Sequence, residues 1–441
     1  MKNILLLFCC CVAITASAQE VEFSGNAGFD GAYASEQLPF WFTANTNGLR
    51  DGLTNGDVYA FAKAEYPTSS SSHLEIGVGA MYRDGVTDRL QRAELYASFT
   101  NKWLVATLGS QQQKERYDGL STTNGNILWS GNARAIPGIV VEAPEPIKLS
   151  KTIAVDYGLG NYFLNDDRYV GNTMVHYKRL GLHIAVNEKS TFKGTLQHYA
   201  QWGGTSPIAG KLPAGFSDFI KIFLAQNADA DAPEGDQQNA LGNHLGSYNF
   251  EYEYKGVSGA LEAYHQHLFE DGSGTAFKNF PDGVWGLTYA PKVGVLTRIL
   301  YEFVHTTDQS SADQPSVSAG DNYFSNKVYR SGWTYDGRTI GIPFILLNPE
   351  TGLGISNNRI KAHHLGGSFT FDTITVNLKG SYVQDFGAPG NPIPEGINKV
   401  FTYAKGLYTT NFGVFSVAAG ADFNNSTENT FGFMGGYKFV F

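Results

Sequence analysis

The last eleven residues, Phe431-Gly-Phe-Met-Gly-Gly-Tyr-Lys-Phe-Val-Phe441, decide the fold class. Successive side chains of a β-strand point to opposite faces. Here one face is aromatic and carries Phe431, Phe433, Tyr437, Phe439 and Phe441. The other face is small or polar, as a membrane strand needs between lipid and a wet lumen. The ending therefore predicts a strand of a transmembrane β-barrel, and the alternative is the edge strand of a soluble sandwich.

The opposite end of the chain has the three parts of a secretory signal peptide. Lys2 supplies the positive charge, residues 4–14 are apolar, and Ala16-Ser-Ala18 is a small-residue cleavage site. We therefore predict that residues 1–18 are a signal peptide cleaved after Ala18. Residues 19–441 then form one outer-membrane barrel with many membrane passes in a Gram-negative cell.

The predicted mature chain has no thiol, because all three cysteines, Cys9, Cys10 and Cys11, lie in the signal peptide. Their neighbours Leu7 and Phe8 do not fit a lipoprotein site, so we expect no lipid anchor. Removal of Lys2 changes the formal net charge from −9 to −10. This acidic balance argues against nucleic acid as a partner.

Composition is compatible with a barrel rather than with membrane helices. After the signal peptide no run of 18 apolar residues occurs, so no transmembrane helix is predicted. A barrel needs only alternate apolar residues, so a mean hydropathy of −0.21 is no objection. The chain has 51 Gly, 24 Tyr and 30 Phe but only 17 % charged residues, and no composition break marks a second domain.

Alternation of apolar and polar residues predicts eighteen strands of an all-β, antiparallel barrel. We place them at residues 21–33, 57–66, 73–83, 90–100, 102–109, 136–143, 151–164, 172–187, 191–201, 243–254, 257–268, 283–290, 293–305, 362–371, 373–384, 399–410, 412–423 and 429–441. Segment 172–187 is long for one strand and contains Arg179-Leu-Gly181, where a turn would disturb the count.

The connections between these strands sort by length. The long ones follow odd-numbered strands, at 34–56, 84–89, 110–135, 165–171, 202–242, 269–282, 306–361, 385–398 and 424–428. The short ones follow even-numbered strands, at 67–72, 101, 144–150, 188–190, 255–256, 291–292, 372 and 411. An outer-membrane barrel has long outer loops and short periplasmic turns, so this sorting supports the barrel over a soluble sandwich.

One outer loop contains an amphipathic segment. Phe216, Phe219, Ile220 and Phe223 share a face at helical spacing, which predicts a short helix near residues 215–225. We expect this helix to lie on the loop cluster over the barrel mouth, and direct ligand contact is the alternative.

Four segments, in this order, resemble the capsule-assembly Wzi family, and more closely its Bacteroidota branch. They are Leu38-Pro-Phe-Trp-Phe-Thr-Ala-Asn-Thr-Asn-Gly48, Leu164-Asn-Asp-Asp-Arg-Tyr169, Leu196-Gln-His-Tyr-Ala-Gln-Trp-Gly-Gly204 and Asn239-Ala-Leu-Gly-Asn-His-Leu-Gly-Ser-Tyr-Asn-Phe250. The similarity extends over essentially the whole mature chain. It implies an eighteen-stranded outer-membrane barrel with outer loops that fold inward, which holds capsular polysaccharide at the cell surface like a lectin.

The resemblance also bears on partners. The strand that ends at Phe441 resembles the assembly signal of bacterial outer-membrane barrels, which implies the barrel assembly machinery and outer-membrane lipid as partners. Enterobacterial members have a helical segment ahead of the barrel. Here the first strand is predicted directly after the cleavage site, so we do not expect a periplasmic plug of that kind.

Aromatic and polar residues near the outer loops are candidate sugar contacts. Sugars stack their C–H faces on aromatic rings and take hydrogen bonds from polar side chains, and arginines suit an acidic polymer. The candidate polysaccharide-binding residues are Arg116, Trp129, Arg134, Gln197, His198, Gln201 and Trp202. For the tryptophans, which include Trp41 and Trp333, the alternative is an aromatic belt at the headgroup level together with loop cores.

Other functions leave weaker signals. Lumen positions carry both charge signs, which favours paired charges over a selective pore, so a porin for small or anionic solutes is the alternative function. Residues 229–236 hold four carboxylates but lack the spacing of a known calcium loop. The histidine pairs 265/267 and 363/364 lack a third zinc ligand.

Catalytic motifs are also missing from the sequence. It contains no nucleophile elbow, Walker loop or zinc-hydrolase helix, so we predict a protein that is not an enzyme and needs no cofactor. A hydrolase acting on lipid or glycan, with a site assembled from distant strands, remains a third interpretation.

Overall fold

The computed structural model describes residues 21–227, 240–310 and 321–441. The predicted signal peptide and the acidic segment 229–236 lie outside these residues. Within them, eighteen antiparallel strands form one sheet. They are β1 (Glu22–Ala34), β2 (Gly56–Ser69), β3 (Ser72–Arg83), β4 (Leu90–Thr100), β5 (Val105–Ser110), β6 (Gly138–Glu142), β7 (Ile153–Leu164), β8 (Thr173–Asn187), β9 (Ser190–Trp202), β10 (Asn243–Lys255), β11 (Gly259–Phe269), β12 (Gly283–Pro291), β13 (Leu296–His305), β14 (Ile360–Phe371), β15 (Ile374–Ala388), β16 (Asn391–Thr410), β17 (Gly413–Asn424) and β18 (Thr430–Val440).

The sheet closes on itself. Each strand pairs with its neighbours in sequence, and β1 pairs with β18 from Asn26 opposite Val440 to Ala34 opposite Gly432. A two-residue segment, Ile147–Lys148, extends the pairing along β7. Closure removes the free sheet edges that lipid cannot satisfy. The predicted eighteen-stranded antiparallel barrel is therefore confirmed.

The long eighth strand is a single strand. Thr173–Asn187 pairs on one side with β7 and on the other with β9, and Gly181 lies opposite both Asp156 and Thr195. The side chain of Asp156 comes so close that a Cβ at position 181 would lie 2.3 Å from its Oδ2. Gly181 therefore makes room for a neighbouring strand's side chain, and the chain does not turn there.

The aromatic face of the last strand points outward. Phe433 is 63 % exposed, whereas Met434 on the opposite face is 5 % exposed. Large exposed side chains continue around the wall, for example Leu180, Val417 and Leu365. These side chains form the lipid-facing surface, and the alternate positions face the lumen. No helix among the described residues is long and apolar enough to cross a membrane.

The outer loops and periplasmic turns sort as predicted, with one exception. Residues 385–398 were predicted as a long loop, but β15 and β16 continue through them to a two-residue turn at Pro389-Gly390. The prolines and glycines of this stretch misled the prediction. Pro392 and Pro394 are tolerated because β16 meets β17 only from Lys399 onward, so at the prolines it has one neighbouring strand.

Three outer loops fold into the barrel, as predicted. We call them L1 (residues 35–55), L3 (residues 111–137) and L7 (residues 306–359, of which 306–310 and 321–359 are described), and together their described residues form the plug. The plug has an apolar core of almost fully buried side chains: Trp41, Leu120, Ile127, Leu128, Trp333, Tyr335, Ile340, Ile342 and Phe344. Fully burying one such side chain stabilises a structure by about 1.5–3 kcal/mol. This core closes the outer half of the lumen.

Hydrogen bonds connect the loops of the plug to each other and to the wall. The indole nitrogen of Trp333 in L7 donates to the Leu128 carbonyl in L3 at 2.7 Å. The backbone nitrogen of Ile342 donates to the carbonyl of Ile127 at 2.9 Å. In L1, the indole of Trp41 donates to Ser381 of β15 at 3.1 Å. Asn45 of L1 donates to the Thr122 carbonyl of L3 at 2.8 Å, so hydrogen bonds join all three loops inside the barrel.

Within the described residues, three short α-helices lie in the outer loops: α1 (Phe40–Thr43), α2 (Phe216–Leu224) and α3 (Gly272–Thr275). The predicted helix near residues 215–225 is confirmed as α2, in the loop that we call L5 (residues 203–242). Its predicted resting surface is wrong, because α2 lies on the outside of the barrel wall. The ring of Phe219 lies 5.2 Å from that of His176, whose neighbour Tyr177 lines the lumen.

The topology predicts where single cysteines will react. The chain from residue 19 onward has no cysteine, so one engineered thiol is the only target there. Asn227 in L5 and Ser70 between β2 and β3 are both exposed. Asn227→Cys should react with an impermeant maleimide on whole cells, and Ser70→Cys only after the outer membrane is opened. The reverse pattern would show that the barrel is inverted.

Candidate functional site

The seven predicted sugar-binding residues lie in three different places. Arg116, Trp129 and Gln197 line a lumen cavity of about 830 Å³ beneath L3. Arg134 and Gln201 are engaged in contacts of the plug. His198 and Trp202 lie on the outer wall under α2. The prediction grouped residues that are neighbours in sequence, such as Gln197 and His198. Adjacent residues of a strand face opposite sides of the sheet, so these two side chains lie in different places.

Paired charges line the lumen cavity. The guanidinium of Arg116 lies 3.8 Å from Glu262 and 3.9 Å from Glu251. Lys63 pairs with Glu75 at 2.8 Å. Burial raises the pKa of the Tyr117 hydroxyl, so this hydroxyl stays a neutral donor, and it donates to Glu262 at 2.5 Å. The two charge signs therefore neutralise each other locally instead of forming a ring of one sign.

Aromatic and amide groups form the upper wall of the lumen cavity. Trp129 packs against Tyr162 and Tyr199, with ring centroids 4.6 and 5.6 Å apart. The Gln197 amide nitrogen donates to Asn126 at 2.8 Å, and the Asn126 amide returns a bond at 3.1 Å. These groups already have partners within the protein.

The lumen cavity lies on the periplasmic side of the plug. Its lining runs from L3 down to His73, Thr100 and Pro144, which lie at the periplasmic ends of strands or in their turns. The plug separates this cavity from the outside. A polymer at the cell surface therefore does not reach Arg116 or Gln197 while the plug is closed.

Arg134 and Gln201 stabilise the plug. The guanidinium of Arg134 in L3 pairs with Asp336 of L7 at 3.1 Å and lies over the ring of Tyr335 at 5.4 Å. Gln201 is fully buried, and its amide donates to the Gly332 carbonyl of L7 at 3.1 Å. Their contacts give both residues a structural role.

His198 and Trp202 belong to the contact between the wall and α2. The imidazole of His198 lies 3.0 Å from that of His244. The indole of Trp202 donates to Asn161 at 3.0 Å, and its ring packs 5.7 Å from Phe219 of α2. Trp202 is only 6 % exposed. Neither side chain faces the lumen or the barrel mouth.

A different surface opens at the outer mouth, and we call it the mouth cleft. It has a volume of about 560 Å³ and lies between L1 and the outer ends of β15 to β18. Three rings line its base: Phe40 stacks on Phe401 at 4.4 Å and on Phe344 at 5.3 Å. Phe40 is only partly buried, so one ring of this stack stays accessible.

Polar groups surround these rings. Lys399 and Asp385 form an ion pair at 2.5 Å, and Asp422 accepts a hydrogen bond from the backbone nitrogen of Phe40 at 2.7 Å. Gln37 and Glu428 are exposed at the edge. Carboxylates accept hydrogen bonds from hydroxyls, and an aromatic face suits an apolar C–H surface. The mouth cleft therefore has the chemistry of a sugar site.

Sequence reasoning missed the mouth cleft because its residues come from distant parts of the chain. The cleft contains no tryptophan or arginine, the residue types that guided the prediction. The one available signal was Phe40, which lies in the first segment that carries the family resemblance. Within the described residues, no group of three or more His, Cys, Asp and Glu side chains has the arrangement to hold a metal ion.

Comparisons with known proteins agree with this architecture. The structure of Wzi from Escherichia coli, described as an outer-membrane protein involved in group 1 capsule assembly and a carbohydrate-binding β-barrel, matches with a TM-score of 0.64 at 12 % identity. The match covers 95 % of this chain and 84 % of that one.

Two further barrels are similar in fold. Pseudomonas aeruginosa OccK3 has a TM-score of 0.51 at 9 % identity, covering 95 % of this chain and 96 % of that one. Acinetobacter baumannii OccAB4 has a TM-score of 0.51 at 9 % identity, covering 96 % and 99 %. At these identities the three structures establish the fold alone. No curated protein sequence gives a match.

The sequence itself matches a family model. The model for the capsule assembly protein Wzi matches residues 54–344, which is more than half of the chain. The predicted family is therefore confirmed, and the matched region runs from the end of L1 through most of L7. The chain belongs to the Wzi family of capsule assembly proteins.

Proposed function

We propose that this protein binds capsular polysaccharide at the cell surface and assists capsule assembly or retention, as a binding protein rather than an enzyme. One observation carries the proposal: the plug closes the lumen, so the mouth cleft is the site that faces outward. Membership of the Wzi family supports the same role. The plug also argues against the porin alternative, because an apolar core fills the path that a solute would follow.

The proposal assigns direct contacts to residues that were not predicted and an indirect role to two residues that were. Phe40, Gln37 and Glu428 at the mouth cleft contact the polymer. Arg134 and Gln201 act indirectly, because they hold the loops that shape the mouth. The cleft has one lysine and three carboxylates, Asp385, Asp422 and Glu428. This balance favours uncharged sugar units with free hydroxyls, rather than the acidic units that the arginines suggested.

Deleting the protein from its own cells tests the role. We expect the deletion strain to make a normal total amount of capsule but to release most of it into the medium, because the surface anchor is gone. Capsule in cell and medium fractions is measured after gentle washing. Normal retention combined with altered uptake of small solutes would replace the proposed role with that of a porin.

We also propose that the mature protein begins at Gln19, is inserted by the barrel assembly machinery and is surrounded by outer-membrane lipid. The support is the Ala16-Ser-Ala18 site together with the aromatic last strand. The intact mass of protein extracted from membranes should correspond to residues 19–441 without lipid. A mass that includes a diacylglycerol group would contradict both the cleavage site and the absence of an anchor.

A further inference from the structure

A small notch on the outer wall has a chemistry of its own. It lies at the outer ends of β14 to β16 and has a volume of about 330 Å³. Its lining residues are Thr307, Arg359, Lys361, Phe386, Pro392, Ile393 and Pro394, and we call it the rim notch. It contains two cations and no carboxylate.

The side chain of Lys361 points away from the lumen. Ile360, Ala362 and His364 are at most 1 % exposed and pack inward, so the alternation of β14 turns Lys361 and His363 outward. Leu365, two outward positions below Lys361, is 53 % exposed on the lipid-facing surface. The rim notch is therefore continuous with the membrane surface of the barrel.

Tyrosines mark the depth of the rim notch. Tyr301 bonds through its hydroxyl to His363 at 2.7 Å, and Tyr382 donates to Asn398 at 2.8 Å, both on the outward face. Such tyrosines gather where lipid tails meet headgroups. Lys361 lies four residues above Leu365, which is about 13 Å along a strand, so it reaches the headgroup layer.

The two cations have unused binding capacity. The guanidinium of Arg359 donates to the Thr307 carbonyl at 3.0 Å. The ammonium of Lys361 lies 6.0 Å from the centre of the Phe386 ring. Among the described residues neither cation forms an ion pair, whereas nearby Lys399 is paired with Asp385 at 2.5 Å. A guanidinium has five N–H donors, so most of those of Arg359 remain available.

We propose that the rim notch binds the phosphate of an outer-leaflet lipid. Arginine and lysine make strong charge-assisted hydrogen bonds to phosphate oxygens. Phe386, Pro392 and Ile393 line the outer side of the notch, and the lipid-facing surface with Leu365 begins on its membrane side. A phosphate held by the two cations therefore lets its acyl chains run along that lipid-facing surface. This binding is separate from the proposed binding of polysaccharide in the mouth cleft.

Lipid titration of the detergent-solubilised full-length protein tests the proposal. The probes are short-chain phosphatidic acid, the diacylglycerol of the same chain length, and inorganic phosphate. Bound lipid is counted by native mass spectrometry. The variant Arg359→Gln/Lys361→Gln should bind phosphatidic acid at least roughly tenfold more weakly than the wild type, because it loses two charge-assisted contacts. The diacylglycerol should not distinguish the two proteins.

A matched variant controls for net charge. Lys102→Gln/Lys189→Gln also removes two positive charges, here from exposed lysines in periplasmic turns, and should bind phosphatidic acid like the wild type. Polysaccharide binding should be unchanged in both variants. A negative result in the lipid titration therefore contradicts lipid binding at the rim notch without affecting the proposed binding of polysaccharide. Equal phosphatidic acid binding by the rim-notch variant and the wild type would overturn the proposal. Inorganic phosphate competing at the lipid's own affinity would show a free-anion site and would also overturn it.

Heat-modifiable gel mobility reports whether each variant forms a barrel. The backbone nitrogen of Arg359, rather than its side chain, bonds to the Gly387 carbonyl, so the substitution leaves that contact in place. If the double variant does not fold, the single variant Lys361→Gln is tested instead. The ammonium of Lys361 has no ion-pair partner among the described residues, so its loss should not disturb the fold. Its affinity for phosphatidic acid should fall severalfold, and an unchanged affinity would overturn the proposal.

Discussion

Replacing residues 309–357 of L7 with a short Gly/Ser linker should convert a silent barrel into a conducting one. The ends of the loop are neighbours, because the backbone nitrogen of Thr306 donates to the Ile360 carbonyl at 2.9 Å. A short linker therefore closes the gap without strain on β13 or β14. In a planar bilayer we expect the wild type to stay near background and the variant to give stepwise, porin-like currents.

The physical reason is that L7 supplies about half of the plug. Trp333, Tyr335 and Phe344 are at most 2 % exposed and come from this loop. Without them, Ile127 and Leu128 of L3 lose their packing partners and the bonds to Ile342 and Trp333. An eighteen-stranded barrel without a plug is wide enough for an aqueous channel.

L5 supplies the matched control. Its helix α2 lies on the outer wall, so replacing residues 215–240 with a similar linker removes α2 and keeps Leu212, which packs with Tyr329 of L7. This variant should remain as silent as the wild type. Porin-like currents through the wild-type protein would contradict the closed lumen and, with it, the main support for a binding role.

Much of the fold followed from the sequence because membrane strands obey one simple rule. Lipid on one side and lumen on the other impose alternation, so the eighteen strands were predicted correctly. The inward folding of the loops was predicted from the family resemblance and not from this alternation. Even the long strand β8 was placed within a residue of its observed start at Thr173. The hairpin at 385–398 was missed because it extends above the hydrocarbon layer, where alternation is no longer required, and because its prolines and glycines suggested a loop.

The candidate site was predicted less well because it depends on contacts between distant segments. The sequence indicated that α2 is amphipathic but not which side of the wall would receive it. The outward faces of His176 and Ala200 near the rim provide that surface, and Ile222 of α2 is fully buried there. Trp202 was consequently predicted as a ligand contact, although in the structure α2 covers it.

The mouth cleft could not be predicted from the sequence, because only the tertiary fold brings its residues together. Phe40 comes from L1, Phe344 from L7 and Phe401 from β16, and no local pattern connects them. The predicted residues at 116–134 and 197–202 were instead chosen mainly around tryptophan and arginine side chains. In the structure these residues belong to the plug, the lumen cavity and the contact with α2. A residue type can indicate sugar binding, but in this chain burial decides which residues are available for it.

The variant Phe40→Ala/Glu428→Gln should bind purified capsular polysaccharide more than tenfold more weakly than the wild type. An aromatic contact contributes about 0.5–1.5 kcal/mol. Glu428→Gln keeps an acceptor but exchanges a hydrogen bond to a charged group, about 1.5–3 kcal/mol, for a neutral one of about 0.5–1.5 kcal/mol, a loss of about 1 kcal/mol or more. The combined loss of at least about 1.5 kcal/mol exceeds the 1.4 kcal/mol that corresponds to a tenfold change. Binding is measured on the folded barrel in detergent. Cells that lack the wild-type protein and express this variant should release capsule into the medium.

Two control variants decide between the mouth cleft and the sites predicted from sequence. Arg116→Gln changes the lumen cavity, and Trp202→Phe changes the wall contact while keeping an aromatic ring under α2. Because the plug or α2 covers these positions, both variants should bind polysaccharide as the wild type does. If they lose affinity while Phe40→Ala/Glu428→Gln keeps it, the polymer passes through the lumen or over L5, and the mouth cleft is not the site.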